Sequence, residues 1–449
     1  AWARRSSIRA WRRSSRWAEG SGRLDFPGLP ADLWPLLAGC APQGRLAVVG
    51  GAVRDALLHR LHRDPWRGLM DLDLVLDPGE PWQSDMVEPS PAQRFEACLS
   101  AAESGRPAGV RVLAARHHVS FGTVELELRI GSLDLALDLA TARCESYPRA
   151  AANPQVCPGT LEQDLARRDF TINAMAVLLP SMDLLDPHGG LADLERRELR
   201  FLHDDSLRDD PTRLVRGARY AARLGFGLAE PSRRQVQRTL RAWPWPWRHG
   251  DPPEQAPAAL ATRLRMELEL MLSRRRWQQA LAHLQGWGGL ALLDPAIQRD
   301  RHWRRRLHWA HRFGLPPLTA LIAVAEDPPA LAERLQLPHA QVRLLRHGLD
   351  LRRRLEALPP PEAASWPPSR WTTFLEQGSG AAEAVALALC SGLAPRRPLL
   401  RWWLRWRHQQ SPLTAAALMA QGLKPGPELG VSLRRLRLEA MDAQERRCS

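Results

Sequence analysis

In the stretch MDLDLVL (residues 70–76), Asp71 and Asp73 stand two apart inside a run that otherwise reads as a buried strand. Side chains two apart on a strand project to the same face. The two carboxylates therefore point together, and neither ionises comfortably beside the other without a cation. An unpaired charge in a protein interior costs more than folding can spare. Mg²⁺ suits such a pair, because it takes one or two carboxylates together with phosphate oxygens and water. A third carboxylate is offered by LDLALDLA (133–140), where Asp134 and Asp138 both qualify. Asp138 lies deeper in the run and is the better partner. Three carboxylates from adjacent strands make a two-metal phosphoryl-transfer site. By itself, the DxD spacing also reads as an edge strand with two solvated aspartates.

The segment upstream favours the metal. The apolar run LAVV (46–49) is closed by Gly50-Gly51, and AVRDALLHRLH follows with helical spacing. Glycines let a backbone approach phosphate closely, and a helix N-terminus offers free N–H groups and a positive dipole. Arg54 and Asp55 stand in the first turn. A phosphate site about 20 residues before a DxD is the layout of a nucleotidyltransferase head.

Several elements must position these residues. The 449-residue chain is long enough for two to four domains. Residues 69–76 read as a strand, and 79–110 as a loop enclosing a helix. Residues 118–130 and 133–141 alternate strongly, as two strands of a hairpin. Beyond residue 180 strand signals fade, and from about 206 onward the pattern is helical, broken by Pro-rich segments at 243–257 and 358–368. The expected fold is α+β, with an α/β head followed by an all-helical neck, body and tail. The expected division is a basic, partly disordered arm at 1–40, a catalytic head at 41–180, a neck at 181–250, a body at 251–345 and an RNA-binding tail at 346–449.

The composition narrows the partners. Sixty-three basic residues face 49 acidic ones, for a net charge of +14. That excess points to a polyanion, most simply nucleic acid. Lys424 is the sole lysine, a skew that a GC-rich genome explains; the excess of bases it does not explain. The six cysteines form no CxxC, so neither a zinc site nor a disulfide framework is indicated, and a reducing cytoplasm fits. No apolar run reaches the roughly 18 residues that span a bilayer. The N-terminal AWARRSSIRAWRRSSRW is basic and free of acids, somewhat like a transit peptide. Because the chain begins with Ala, the true start is an open question.

VVGGAVRDALL, MDLDLVL, FGTVEL, DLARRDFTINAMAV, LLDPHGGLADLERRELRFL and RDDPTRLVRGARYAARLGF resemble the successive motifs of class II tRNA nucleotidyltransferases. These are the CCA-adding enzymes and related bacterial poly(A) polymerases. The resemblance runs through residues 46–226, returns weakly at 263–272, and returns again at 413–430. It implies a polymerase-beta-like head in which Gly50, Gly51 and Arg54 hold a triphosphate. Asp71, Asp73 and Asp138 would bind two Mg²⁺ ions. Arg168, Asp169 and Asn173 would recognise the ribose. DDPTR matches the EDxxR element, with Asp209 where Glu is usual, and keeps Asp210 and Arg213. Arg143, Glu145 and Tyr147 resemble the start of a flexible loop, whose usual basic-acidic continuation is replaced by PRAAANPQVCPG.

Asp210 and Arg213 suggest how a base is chosen. Three apart on an expected helix, they share a face. One only accepts hydrogen bonds and the other only donates. Cytosine and adenine each set an amine donor beside a ring-nitrogen acceptor, and both satisfy the pair. Uracil and guanine present the reverse pattern. A buried mismatch of that kind costs on the order of several kcal/mol, so CTP and ATP are admitted without a template. An ordinary surface salt bridge is the other reading of the spacing. Arg216, Arg219 and Arg223 continue along the helix, some toward nucleotide or RNA phosphates and others simply solvated. The Arg/Trp-rich stretches 274–287, 301–313 and 401–408 either grip RNA or supply core.

The expected activity is template-independent addition of C and/or A to the tRNA 3′ end, with release of pyrophosphate. A-only addition and poly(A) synthesis are alternatives. A loop of nearly full length argues against CC-only addition. From other classes come an RNA-binding protein without catalysis, which the three aspartates oppose, and a small-molecule nucleotidyltransferase, which the basic helical tail opposes. Oligomeric state is not written in the chain.

Overall fold

The computed structural model describes residues 23–41, 43–66, 68–69, 71–79, 89–101, 110–118, 122–359, 365–378 and 380–448. The N-terminal arm expected at 1–40 lies outside the described residues up to position 22. The chain divides into two compact units between Pro244 and Trp245, so most of the expected neck falls in the first. No helix among the described residues is long and apolar enough to cross a membrane.

The first unit is built on eleven strands among its described residues: β1 (Arg45–Val49), β2 (Asp71–Asp77), β3 (Val110–His118), β4 (Thr123–Ile130), β5 (Leu133–Thr141), β6 (Arg143–Ser146), β7 (Gln155–Pro158), β8 (Ala176–Leu179), β9 (Asp183–Leu185), β10 (Glu198–Leu199) and β11 (Gly227–Leu228). Its helices are α1 (Leu33–Gly39), α2 (Gly51–His62), α3 (Pro91–Ala101), α4 (Leu161–Ala166), α5 (Gly190–Arg196), α6 (Ser206–Asp209), α7 (Thr212–Leu224) and α8 (Glu230–Ala242). Seven strands form one mixed sheet in the order β3-β4-β5-β2-β1-β8-β9, while β6-β7 and β10-β11 pair separately. This is the α/β head expected from the sequence, and its sheet is mixed.

The central pairing is β2 with β5, which run parallel with Asp73 opposite Asp138. Alternation explains the burial: Leu72 and Leu74 of β2 and Leu135, Leu137 and Leu139 of β5 point into the core, and the aspartates take the other face. The chain crosses from β1 into α2 through Gly50, whose φ of +72° and ψ of −129° suit glycine alone.

Two expectations need correction. The strand expected over 118–130 is divided: His118 ends β3, Thr123 begins β4, and the two face each other in register. Gly122, at φ +58°, turns the chain there. β3 is an edge strand whose second half, Ala115–His118, is exposed, so it lacks the inside–outside alternation that marks a strand in sequence. Asp210 is likewise not helical. It is extended at φ −145° and ψ 95°, and α7 starts at Thr212. The cause is Pro211. A residue before proline is pushed out of the α region, and proline favours a helix start.

The second unit is helical, from Thr262–Ser273 to Pro427–Cys448. Trp371, Trp402, Trp406 and Met441 share one of its cores, and Trp303 is buried with Nε1 donating to Gln285 Oε1 at 2.8 Å. Within the Arg/Trp-rich stretches, Trp303, Trp402 and Trp406 are therefore core residues.

Candidate active site

Asp71, Asp73 and Asp138 come together on the open face of β2 and β5. One oxygen from each lies within 4.8 Å of the others, the group of possible metal ligands found among the described residues. Burial pushes the Asp73 carboxyl up to about 6, and Asp71 and Asp138 add to this against the opposing charges of Arg168 and Arg54. Burial also raises Asp138, reinforced by Glu125 and Asp71. The strand that supplies Glu125 pairs it directly opposite Asp138, and Glu125 accepts a contact from His118 at 3.1 Å. Three oxygen donors with incompletely balanced negative charge fit a hard divalent cation. Asp134 takes no part. It sits opposite Arg129 at the far end of β5 and pairs with it at 2.8 Å.

The glycine turn faces these carboxylates. A Cβ on Gly50 would lie 3.2 Å from Asp73 Oδ2 and 3.2 Å from Arg168 Nη1, so the space beside the carboxylates exists because position 50 has no side chain. Gly51 opens α2, a 12-residue helix. Arg54, expected on the triphosphate, is only 2% exposed. Its Nε donates to Asp55 Oδ1 at 2.8 Å and its Nη1 to Asn173 Oδ1 at 2.7 Å. The guanidinium thus braces Asn173.

Asn173 Nδ2 donates to Asp169 Oδ1 at 2.9 Å, and Arg216 Nε donates to Asp169 Oδ2 at 2.8 Å. Burial opposes the Asp169 charge, yet Arg216 and the Asn173 hydrogen bond hold its carboxyl below the usual range. Arg54, Asn173, Asp169 and Arg216 are therefore one continuous chain. Arg219 lies over the Tyr220 ring at 5.6 Å from its centroid, and Arg54 at 5.5 Å. Arg223, farther along α7, donates to Asp55 Oδ2 at 2.6 Å.

Asp164 and Tyr220 belong to this scaffold, and neither was singled out from sequence. Asp164 is fully buried and accepts from Arg167 Nη2 at 2.7 Å and from Arg168 Nη2 at 2.9 Å. The signal was visible: Thr160 and Gln163 form a capping box at the start of α4, and Asp164 precedes the two arginines by three and four residues.

A cavity of about 330 Å³ is lined by Glu145, Tyr147, Arg167, His203, Asp209 and Arg213, among others. The loop-start residues meet there, where Glu145 accepts from Arg143 at 3.2 Å, from Tyr147 at 3.1 Å and from Arg167 at 2.9 Å. Strands β6 and β7 make the loop a hairpin, with Arg143 opposite Pro158. Asp210 and Arg213, linked by a turn in which the Arg213 N–H donates to the Asp210 carbonyl at 3.2 Å, are both buried, and Arg213 lines the cavity. Asp210 Oδ1 accepts from the Thr212 N–H at 3.0 Å and its hydroxyl at 2.6 Å. Arg213 Nη2 donates to the Arg167 carbonyl at 3.0 Å.

Residues 46–200 match the family model described as the Poly A polymerase head domain. The chain is 37% identical over 319 residues to the CC-adding tRNA nucleotidyltransferase of Deinococcus radiodurans, covering 69% of this chain and 71% of that protein. It is 38% identical over 199 residues to the A-adding tRNA nucleotidyltransferase of Aquifex aeolicus, covering 44% of this chain and 20% of that one. Among solved structures, the apo form II of a CCA-adding enzyme is similar in fold, with a TM-score of 0.63 over 95% of this chain and 94% of that chain at 23% identity.

Proposed function

The chain belongs to the tRNA nucleotidyltransferase family, and we propose that it adds C and/or A to the 3′ end of tRNA from CTP and ATP, without a template and with release of pyrophosphate. The observation that carries this is the convergence of Asp71, Asp73 and Asp138 within 4.8 Å, facing a turn at Gly50 that no side chain obstructs. Asp71, Asp73 and Asp138 would hold Mg²⁺, two ions in this reading, which when bound lowers the pKa of the attacking hydroxyl and neutralises phosphate charge.

The protein's own contribution is placement. Gly50 lets the α2 N-terminus, which opens at Gly51, approach the triphosphate. Arg168, fixed by Asp164, stands beside the same space and is suited to phosphate. Asn173 and Asp169, braced by Arg54 and Arg216, hold the ribose. Asp210 and Arg213 present an acceptor and a donor to the base, so cytosine and adenine fit where uracil and guanine leave two buried mismatches. The excess of 63 basic over 49 acidic residues suits an RNA substrate, and the cytoplasm is the compartment in this reading.

The hairpin of β6 and β7, which sets Glu145 and Tyr147 in the cavity beside Arg213, supports addition of A, alone or after CC. The test is incorporation of single NTPs with Mg²⁺ on three RNAs: tRNA lacking CCA, tRNA ending in CC, and an unstructured oligonucleotide. CC followed by A on the first marks a complete CCA-adding enzyme, and CC alone a CC-adding one. A solely on the second marks an A-adding enzyme, and long A tracts on the third a poly(A) polymerase. Incorporation that survives Asp71→Ala or Asp73→Ala refutes the metal assignment. Both variants are expected to bind tRNA as the parent does.

A further inference from the structure

Among the described residues, His203 is the one imidazole that lines the cavity beside Arg213. Its Nε2 lies 3.4 Å from Arg213 Nη1, while Arg213 Nη2 is held by the Arg167 carbonyl at 3.0 Å. These two contacts reach the two terminal nitrogens of one planar fork, so together they fix the rotation of the guanidinium. The backbone turn that carries the imidazole is itself held in place. The His203 backbone N–H donates to Ser206 Oγ at 3.3 Å, and Gln235 Nε2 donates to the His203 carbonyl at 3.0 Å and to the Asp204 carbonyl at 2.6 Å. Ser206 and Gln235 are both buried. A buried amide and a buried hydroxyl thus secure a turn whose single side chain in the cavity is this histidine.

We propose that His203 is a positioning residue for nucleotide choice: its Nε2 accepts from Arg213 and holds the guanidinium at the angle at which it donates to the base. This deepens the assignment of Arg213 as a base-reading residue and rests on it. For Nε2 to accept, the proton must sit on Nδ1 and the ring must be neutral, because protonated imidazole only donates. The surroundings favour that state. Burial lowers the His203 pKa, and Arg213 and His188 lower it further against the opposing pull of Asp205 and Asp204. The cavity also carries Arg167, Glu145 and Asp209. Protonation places a second cation against Arg213 and removes its acceptor in one step.

The experiment compares the parent enzyme with His203→Ala, His203→Gln, Arg213→Ala and the double variant His203→Ala/Arg213→Ala on a tRNA acceptor. The readout is kcat/KM for the accepted nucleotide, CTP or ATP, divided by that for UTP. Loss of one hydrogen bond to a charged donor predicts that His203→Ala lowers this ratio about tenfold, carried by KM more than kcat. His203→Gln restores most of it, because the amide oxygen of Gln accepts near the position of Nε2. The double variant is no worse than Arg213→Ala, since the two act as a unit. Because burial and Arg213 lower the His203 pKa, the ratio in the parent holds through the ordinary imidazole range and falls only at more acidic pH, and in His203→Gln it does not fall. The inference is overturned if Arg213→Ala lowers the ratio while His203→Ala leaves it intact, or if the parent and His203→Gln share one pH profile. An unchanged ratio in Arg213→Ala overturns the base-reading assignment itself, a separate and recognisable failure. Should His203→Ala fold poorly, the Gln variant and the pH profile decide.

Discussion

Gly50 and Gly51 are adjacent, yet the structure assigns them opposite sensitivities. In Gly50→Ala the new residue must hold φ +72° and ψ −129°, a region that side chains rarely enter. Strain of that kind costs about 1–3 kcal/mol. The added methyl would also stand 3.2 Å from both Asp73 Oδ2 and Arg168 Nη1. Neither neighbour yields freely, because Asp73 is fixed on a sheet strand and Arg168 is held by the buried Asp164 at 2.9 Å. Taking about 2 kcal/mol as the sum, Tm falls by roughly 4–8 °C for a unit of this size. The shift of a carboxylate and a guanidinium by a few tenths of an ångström up to one ångström lowers incorporation by up to about 100-fold. Gly51→Ala meets nothing closer than Arg54 Nη2 at 3.6 Å, an ordinary contact, at the first position of a helix. Alanine is the better helix former there, so Tm is unchanged or rises by a few degrees. Differential scanning calorimetry and single-turnover incorporation on a tRNA acceptor measure both quantities. Equal activity of Gly50→Ala and the parent, or equal damage from the two substitutions, refutes the argument that the empty space at position 50 is what the site requires.

Asp164→Ala leaves two guanidiniums without their shared buried carboxylate, and at 17–18% side-chain exposure each the loss is expected at about 3 kcal/mol. Urea denaturation measures it, and an unchanged midpoint would remove Asp164 from the scaffold. Asp138→Asn is expected to lower incorporation by at least about 1,000-fold, whereas Asp134→Asn, at the exposed Arg129 pair, leaves both Tm and incorporation as in the parent; the reverse ranking would reassign the third carboxylate. Acid stability should depend on Asp77 and Glu162, which share Arg45. Burial opposes ionisation of Asp77, yet the hydrogen bonds from Arg45 and from the Leu161 N–H hold its carboxyl below the usual range, and the Arg45 hydrogen bond lowers Glu162 to about 2. A depressed folded-state value means that the unfolded chain takes up more protons on acidification, so this stabilisation is complete above about pH 4.5 and is lost as pH falls toward 2. Replacing Asp77 with Asn should flatten that limb of the stability curve, and an unchanged acid slope would show that the carboxylate is not linked to folding.

Local periodicity determined much of this site. The spacing of Asp71 and Asp73 put both carboxylates on one face, and the glycine pair marked the strand-to-helix turn, because strand alternation and glycine's backbone freedom act over two or three residues. The excess of basic residues indicated a polyanionic partner by simple charge balance. The same local rules failed where a neighbour in the chain or in space took over. Pro211 ended the reading of Asp210 as helical. The exposed edge strand Val110–His118 carried little alternation to read. Tryptophan spacing alone did not separate RNA-facing rings from the buried Trp303, Trp402 and Trp406. Depth in the run favoured Asp138 over Asp134, which occupies the same face of one strand, and the tertiary structure supplies the physical reason. The parallel register of β2 and β5 sets Asp138 opposite Asp73 and leaves Asp134 to Arg129. That register depends on burying leucines from segments about 60 residues apart, an energy that no local window of sequence contains. The fixed angle of Arg213 is likewise tertiary, since it depends on a carbonyl at position 167 and an imidazole at 203.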